Sequence, residues 1–215
     1  MEEKEKKIQE IIDVQKKISE LFPECVLDSA IQSLKQNFEE ILRCLESLSG
    51  WKTKRIRPPV LILGNFQGID IGIRQLIRKK PLETKEIYGI KIPTEAELLR
   101  IKAWLITTRN AVRDYVDFIA LCDGMQKKQI LDAMSTFDEC YPQYDAEKSS
   151  SQLIRLLSVA QPYDLSDVDL KIYKGIEKPY NSWEYVKERC AEVADMLFDK
   201  LFVDEGDIDD PPSHR

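Results

Sequence analysis

The sequence predicts an α+β protein in which a small, reduced antiparallel or mixed sheet packs against a mostly helical C-terminal half. Apolar residues make up 43% of the 215 residues and charged residues 33%, which suits a buried core under a soluble surface. Helical periodicity dominates both ends of the chain. A single stretch, residues 51–77, alternates like strands and is broken by turn residues. We therefore expect about three to four strands among many helices.

The N-terminal part, residues 1–92, is predicted to hold two helices and the sheet. Residues 2–20 place isoleucines on one side of an amphipathic helix. A short apolar piece follows at Cys25–Leu27, and a second helix is predicted from about Ser29 to Ser47. The reduced sheet should follow this helix directly.

Four extended segments are predicted after the second helix. They are Trp51–Arg57, Val60–Leu63, Ile69–Ile77 and Tyr88–Ile92. A turn at Asn65–Gly68 joins the middle two. Alternation places Asp70 on the face opposite Ile69, Ile71 and Ile73, so its carboxylate should point away from the core.

The second part, residues 93–202, is predicted to be helical. Its helices are expected over residues 94–107, 110–123, 127–137, 150–160 and 182–201. Asn110 is a candidate N-cap for the second of them. Residues 203–215 carry the acidic run Asp204–Asp210 and end in Pro-Pro-Ser-His-Arg, so we expect a disordered tail.

The composition argues against several classes of protein. No apolar run approaches the ~20 residues of a membrane helix, so we expect no membrane partner and a cytoplasmic protein. The five cysteines are scattered without a CxxC pair, and the one histidine is His214. A zinc site or a disulfide framework is therefore not expected. Each cysteine is interpreted as a small buried hydrophobe.

Positive charge is concentrated in residues 51–80, although the formal net charge of the chain is −6. The only acid in this stretch is Asp70. Local basic charge can hold phosphate on a protein that is acidic overall. A solvated strand face explains the same pattern equally well. Trp51 lies among these cations and could stack a base, but core packing is the simpler interpretation.

A second basic pattern falls on the first two helices of the C-terminal part. Helical spacing puts Lys102 and Arg109 on nearly the same face, two turns apart. Arg113 and Asp117 are four residues apart and can pair. Asp114 opens its helix at the positive end of the helix dipole, where a carboxylate is favoured. From the spacing alone, ordinary ion pairs on two solvated helices are favoured over a site.

The pattern Lys102-x6-Arg109-x3-Arg113-Asp114-x2-Asp117, after an Ile-Pro-Thr-Glu lead-in, resembles the C-terminal signature of AbiEii/AbiGii-toxin-type nucleotidyltransferases. This family belongs to the polymerase-β-like superfamily and includes many toxins of toxin–antitoxin systems. The resemblance covers roughly residues 30–125, with Gly68–Ile73 similar to the hairpin that carries the family's third acidic position. It implies a nucleotidyltransferase-like fold.

The resemblance also implies roles for individual residues. Asp70, Lys102 and Asp114 would be catalytic, with Asp70 also aligning a metal. Lys102, Arg109 and Arg113 would contact the phosphates of a nucleotide. Asp117 would orient Arg113.

The chain departs from the family where the metal should bind. Relatives carry a Gly-Gly or Gly-Ser turn and an Asp-x-Asp strand, whose two carboxylates hold the divalent cations. No such turn or pair occurs before residue 60, and the interval between Leu27 and Phe38 is too short to hold them. Asp164, Asp167 and Asp169 form a compact acidic group, which helix capping and solvation explain better than metal binding.

Three functions stay open on the sequence. The first is a catalytically degenerate nucleotidyltransferase-like protein without a cofactor. The second is an active enzyme, completed by a partner chain, that uses Mg²⁺ to transfer a nucleotide from an NTP to RNA, protein or a small acceptor. The third is a non-enzymatic protein-interaction domain. The expected partners are an NTP, RNA or a partner protein. A homo-oligomer is also expected, because a reduced sheet leaves edge strands that need to be covered.

Overall fold

The computed structural model describes residues 2–21, 30–31, 34–75, 78, 80–143, 147–173 and 175–200. The fold is α+β, as the sequence predicts. The chain divides into two compact units, Met1–Thr94 and Glu95–Arg215, where the sequence led us to expect a boundary after residue 92. The predicted apolar piece Cys25–Leu27 and the predicted tail 203–215 lie outside the described residues.

The first unit contains the sheet. Its elements are α1 (Glu2–Leu21), β1 (Ala30–Ile31), α2 (Leu34–Glu46), β2 (Trp51–Arg57), β3 (Leu61–Phe66), β4 (Ile69–Gln75), β5 (Thr84–Ile87) and β6 (Ile90–Pro93). Strands β2, β3 and β4 pair antiparallel in chain order. β1 adds to β4 in parallel, giving the order β1-β4-β3-β2, and β5 pairs with β6 in a separate hairpin.

A tight turn defines the β3–β4 hairpin of this unit. Its two-residue turn consists of Gln67 and Gly68, with φ of 52° and 90°. Two positive φ values in a row match a type I′ turn, whose twist suits antiparallel strands. The turn sets the register that pairs Phe66 with Ile69 and Asn65 with Asp70.

One face of the sheet is covered by α2. Its buried stripe packs with buried residues of β2, β3 and β4 in one cluster. The buried members are Val14, Leu34, Phe38, Ile41, Leu45, Trp51, Ile62, Phe66 and Ile73. Gly64 is required beneath the Trp51 ring, because a Cβ at Gly64 would lie 2.2 Å from the Trp51 Cζ2 atom. Trp51 is therefore a core residue, and its indole Nε1 donates to Thr53 at 2.9 Å.

Two segments of this unit differ from the sequence prediction. The second helix begins at Leu34 rather than near Ser29, since Ala30 and Ile31 pair with Arg74 and Gln75 as a strand. β5 was not predicted because Thr-Lys-Glu-Ile lacks the apolar alternation of a half-buried strand. It is held instead by pairing with β6 across a turn at Tyr88 and Gly89.

The second unit is helical, as predicted. Its helices are α3 (Glu95–Arg109), α4 (Val112–Asp123), α5 (Lys127–Ser135), α6 (Phe137–Cys140), α7 (Ser149–Ser158) and α8 (Trp183–Phe198). The single helix predicted over residues 127–137 is two helices, because Thr136 leaves the helical conformation at φ −102° and ψ 8°. Tyr115, Phe118 and Phe137 lie at the centre of the core with no exposed surface.

The cysteines of the second unit are buried, which agrees with their interpretation as small hydrophobes. Cys122, Cys140 and Cys190 are buried, whereas Cys44 in the first unit is half-buried. Cys25 lies outside the described residues. Burial raises the pKa of the Cys190 thiol to about 12 and also raises the pKa of the Cys122 thiol and the Tyr115 hydroxyl.

These raised pKa values predict a loss of stability at alkaline pH. The unfolded chain releases the Cys190 proton near pH 9, whereas the folded protein keeps it to about 12. Below pH 9 this thiol therefore does not reduce the free energy of unfolding. Above pH 9 it lowers that free energy by about 1.4 kcal/mol per pH unit. Urea unfolding at several pH values between 7 and 11 measures the slope.

The matched variant is Cys190→Ala. It should be less stable at pH 7, because a cavity replaces the sulfur atom. Above pH 9 its stability should decline less steeply than that of the wild type. Equal slopes in the two proteins would contradict the assignment of the alkaline loss to Cys190.

Candidate functional site

The candidate site is built on the antiparallel hairpin of α3 and α4. Asn110 follows the last residue of α3 and has a left-handed backbone conformation, with φ 47°. The next residue, Ala111, is extended. Asparagine tolerates this conformation better than other residues with a Cβ. Two hydrogen bonds hold its side chain, since Tyr115 Oη donates to Asn110 Oδ1 at 2.6 Å and Asn110 Nδ2 donates to the Gln161 carbonyl at 3.1 Å.

Asn110 does not cap α4, contrary to the sequence prediction. The N-cap residue is Ala111, and the Val112 N–H donates to Asp164 Oδ1 at 2.8 Å. Asp164 thus supplies the cap from the loop between α7 and α8. The side chain of Asn110 is unavailable because it is committed to Tyr115 and Gln161.

Arg109 is fixed by the buried carboxylate of Asp114. Arg109 Nη2 donates to Asp114 Oδ1 at 2.6 Å, and Arg109 Nε donates to Oδ2 at 3.1 Å. Such a two-point contact sets the plane of the guanidinium. The Asp114 side chain is 2% exposed, whereas that of Arg109 is 51% exposed. Asp114 therefore holds the Nε and Nη2 atoms of Arg109, while half of the side chain stays accessible to solvent.

Lys102 and Arg113 share the carboxylate of Asp117. Lys102 Nζ donates to Asp117 Oδ2 at 2.8 Å, and Arg113 Nε lies 3.7 Å from the same oxygen. The pairing of Arg113 with Asp117 agrees with the sequence expectation, although the closer partner of Asp117 is Lys102. The carboxylate joins a cation of α3 to a cation of α4.

Tyr173 braces Arg113 from outside the hairpin. Its ring centroid lies 5.4 Å from the Arg113 Cζ atom. A hydrogen bond to Tyr173, followed by attraction to Asp117, raises the pKa of the Arg113 guanidinium above its already high value. Arg113 is therefore charged at every pH at which the protein is folded.

Three cations and two carboxylates lie together on a partly exposed surface of the hairpin. Lys102, Arg109 and Arg113 pair with Asp114 and Asp117, so this group has one more cation than carboxylates. The exposed fractions of these three cation side chains are 26%, 51% and 57%. A guanidinium has five N–H donors, and the contacts to carboxylate oxygens use only some of them. The phosphate-binding roles of Lys102, Arg109 and Arg113 stay predictions.

Asp70 lies in the first unit, on the sheet face away from α2. Its Oδ1 atom accepts hydrogen bonds from Lys54 Nζ and Asn65 Nδ2, each at 2.6 Å. The bond from Lys54, then that from Asn65, holds the pKa of the Asp70 carboxyl below its usual value. The side chain is exposed, as the predicted strand alternation requires.

The described carboxylates do not fit a magnesium site. Mg²⁺ requires oxygen ligands in near-octahedral geometry. Within residues that the structure describes, no group of three Asp, Glu, Cys or His side chains converges on one point. Asp70 carries an ammonium and an amide donor on one oxygen, and both oxygens of Asp114 accept from Arg109. We therefore derive no metal-dependent step, and the catalytic roles of Asp70, Lys102 and Asp114 stay predictions.

The acidic group in the α7–α8 loop has structural roles. Asp164 caps α4, and Asp169 Oδ1 accepts from the Lys171 N–H at 2.9 Å. Asp167 Oδ1 accepts from the Ser166 hydroxyl at 3.1 Å. Capping and turn formation are the roles that the sequence favoured for these residues.

The contacts that this loop makes with the hairpin were not predicted from the sequence. Tyr173 contacts Arg113, and the Tyr163 N–H donates to the Asn110 carbonyl at 3.0 Å. Both tyrosines lie some 50 or more residues along the chain from the hairpin. Local periodicity holds no signal for such contacts, because it describes one element at a time.

The described geometry defines an α+β protein whose α3–α4 hairpin carries three ion-paired, partly exposed cations, and comparison with known proteins adds a partial similarity. No protein-family model matches the chain, and no solved structure matches it. The mycolic acid-containing lipids exporter MmpL11 of Mycolicibacterium smegmatis is 32% identical over 130 residues, which cover 57% of this chain and 13% of the exporter.

Further relatives also carry the name MmpL11. The heme uptake protein MmpL11 of Mycobacterium tuberculosis is also 32% identical over 130 residues, with the same coverage of 57% and 13%. The probable transport protein MmpL11 of Mycobacterium leprae is 29% identical over 135 residues, covering 57% of this chain and 12% of the relative. The chain thus spans about an eighth of the length of the curated relatives it matches. Among the helices that the structure describes, none is long and apolar enough to cross a membrane.

Proposed function

We propose that the chain is a catalytically degenerate, nucleotidyltransferase-like protein that binds the phosphates of a nucleotide on the α3–α4 hairpin. The observation that carries the proposal is the set of three braced cations, Lys102, Arg109 and Arg113. It rests also on the resemblance of this segment to AbiEii-type nucleotidyltransferases. A cytoplasmic location belongs to the same proposal.

The bracing supports phosphate binding because it lowers the cost of ordering the site. A free lysine or arginine loses side-chain entropy when it binds a ligand. Arg109 is already held by Asp114, and Lys102 is already held by Asp117. A triphosphate would therefore meet cations in fixed positions, and the planar guanidinium of Arg109 suits two phosphate oxygens at once.

The proposal of degeneracy rests on the carboxylates. Nucleotidyl transfer by the usual route places two cations between acidic side chains and the phosphates. Asp70, Asp114 and Asp117 are each engaged by a lysine or an arginine. Both oxygens of Asp114 accept from Arg109, and a metal cation at Asp70 or Asp117 would lie beside the positive charge of a lysine. Binding without transfer is the function that this arrangement favours.

A nucleotide titration tests the proposal. Wild-type protein should bind a fluorescent ATP analogue both with and without Mg²⁺, and Lys102→Ala should weaken binding about tenfold through loss of one charge-assisted contact. The matched control is Lys127→Ala, which removes an exposed lysine of α5 and should leave binding unchanged. Equal affinity in the wild type and in Lys102→Ala would contradict the proposal.

An incorporation assay with α-labelled NTPs separates the degenerate protein from an active enzyme. The proposal expects no Mg²⁺-dependent transfer of label to RNA or to the protein itself. Transfer that depends on Lys102 would establish the alternative of an active nucleotidyltransferase, completed by a partner chain.

The similarity to a segment of MmpL11 supports a second candidate, a non-enzymatic binding domain. One of those relatives is named for heme uptake, so heme is the ligand to test first. Saturable heme binding seen in the visible absorbance spectrum, together with no binding of ATP, would favour this candidate. Binding of ATP without heme would favour the hairpin site.

A further inference from the structure

The sheet of the first unit presents a basic face on the side away from α2. Alternation along β2, with a bulge between Thr53 and Arg55, brings four of its cations to this side. Arg74 of β4 joins them, because its Nε atom lies 3.6 Å from the position of a Cβ built on Gly72. We call the set the basic sheet face. Its members are Lys52, Lys54, Arg55, Arg57 and Arg74.

The charges on this face are largely uncompensated. All five side chains are exposed. Lys54 pairs with Asp70. Within the described part of the chain, the other four cations have no carboxylate partner. A cluster of like charges destabilises its own fold slightly unless a counter-charge is present, so this face is suited to an anionic ligand.

The arrangement of the charges is linear. Residues 52 and 57 are five steps apart on β2, which at about 3.4 Å per residue spans about 17 Å. β2 is the last strand in the order β1-β4-β3-β2, so its outer edge has no neighbouring strand among the described residues. The four cations of β2 therefore form a track along an accessible edge, and Arg74 lies two strands further into the sheet.

We propose that the basic sheet face binds single-stranded nucleic acid, whose phosphodiester backbone runs along β2. A linear track of lysines and arginines complements a linear polyanion. The guanidiniums of Arg55 and Arg57 can each take two phosphate oxygens. Binding is independent of base sequence, because Trp51 is buried in the core and offers no stacking surface on this face.

A membrane surface fits the same face less well. Membrane docking through a flat face gains most of its strength when apolar side chains enter the lipid. Leu61 and Leu63, which lie opposite Arg57 and Arg55 on this face, are half-buried. Charge on an edge strand, rather than across a broad plane, also favours a strand-like ligand.

This inference goes beyond the proposed nucleotide site, which uses other residues in the other unit. Fluorescence anisotropy with a labelled oligouridylate of about 12 nucleotides measures the binding, since single-strand grooves cover ~4–16 nucleotides. Four to five phosphate contacts predict that the logarithm of the affinity falls with the logarithm of salt concentration at a slope of about −3.

Charge reversal distinguishes the face from the net charge of the chain. Arg55→Glu/Arg57→Glu should weaken oligonucleotide binding by about tenfold or more and reduce the salt slope by one to two units. The matched control, Lys127→Glu/Lys128→Glu, changes the net charge equally on exposed residues of α5 and should bind as the wild type does. An equal loss of affinity in both variants would overturn the proposal.

Two further measurements complete the test. ATP affinity should be unchanged in Arg55→Glu/Arg57→Glu, and oligonucleotide affinity should be unchanged in Lys102→Ala, so either site can fail without the other. Vesicles of phosphatidylglycerol supply the competing ligand. Sedimentation with vesicles that requires Arg55 and Arg57, without oligonucleotide binding, would overturn the proposal in favour of a membrane surface.

Discussion

Replacing Glu97 by alanine is expected to lower the free energy of unfolding of the second unit by about 3–5 kcal/mol, the usual cost of removing one partner of a buried ion pair. Glu97 has no exposed surface, and the Arg100 side chain is 7% exposed. Arg100 Nη2 donates to Glu97 Oε2 at 3.1 Å, while Nη1 donates to the Ala133 carbonyl at 3.1 Å. Loss of the carboxylate leaves the guanidinium in the core beside α5.

The contrast with an apolar replacement of both partners identifies the cause. Glu97→Leu/Arg100→Met removes both charges and keeps most of the volume, so it should recover most of the stability lost in Glu97→Ala. Glu147→Ala removes one partner of an exposed ion pair with Arg155 and should have little effect. Urea unfolding measures all three variants. A double variant as unstable as Glu97→Ala would show that packing, rather than charge, explains the loss.

Nucleotide binding should be lost almost completely when the three hairpin cations are removed together. Lys102→Ala/Arg109→Ala/Arg113→Ala is expected to weaken ATP binding by at least about 100-fold, because each charge-assisted contact contributes roughly a factor of ten. Loss of Arg109 also leaves the buried Asp114 carboxylate without its two-point partner, so this variant should be less stable than the wild type. Circular dichroism checks the fold, and fluorescence titration measures the affinity.

Asp114→Asn separates orientation from net charge. The substitution makes the hairpin more positive, so attraction alone predicts tighter ATP binding. Asparagine cannot accept two hydrogen bonds from Arg109 through both of its side-chain atoms, so the guanidinium loses its fixed plane. The proposed site therefore predicts several-fold weaker binding. An increase in affinity would mean that positive charge alone holds the nucleotide.

The local features of the fold could be predicted from the sequence. The β3–β4 hairpin followed from an apolar run before the turn at Asn65–Gly68 and alternating isoleucines after it. The exposed position of Asp70 followed from the same alternation. α4 was predicted nearly to its observed end, because Gly124 follows its last residue. Each of these signals acts over a few residues, and a sequence read locally can detect it.

Contacts between distant segments could not be predicted. The pairing of β1 with β4 joins residues more than 40 positions apart, and the two-residue β1 has no periodicity of its own. Asp164 caps α4 from a similar distance, and nothing near Asp164 indicates its partner. Helical spacing did identify the charged residues of the hairpin, which are Lys102, Arg109, Asp114 and Asp117. The partners that Asp114 and Lys102 take there depend on how α3 lies against α4.

The most direct test of the nucleotide site is the response of arginine side chains to ATP by nuclear magnetic resonance. The Nε–H signals of Arg109 and Arg113 report phosphate contact at the hairpin, while those of Arg155 and Arg189 serve as controls elsewhere in the second unit. ATP should shift the first two signals in a saturable way and leave the control signals in place. Saturable binding that moves neither Arg109 nor Arg113 would contradict the proposed site.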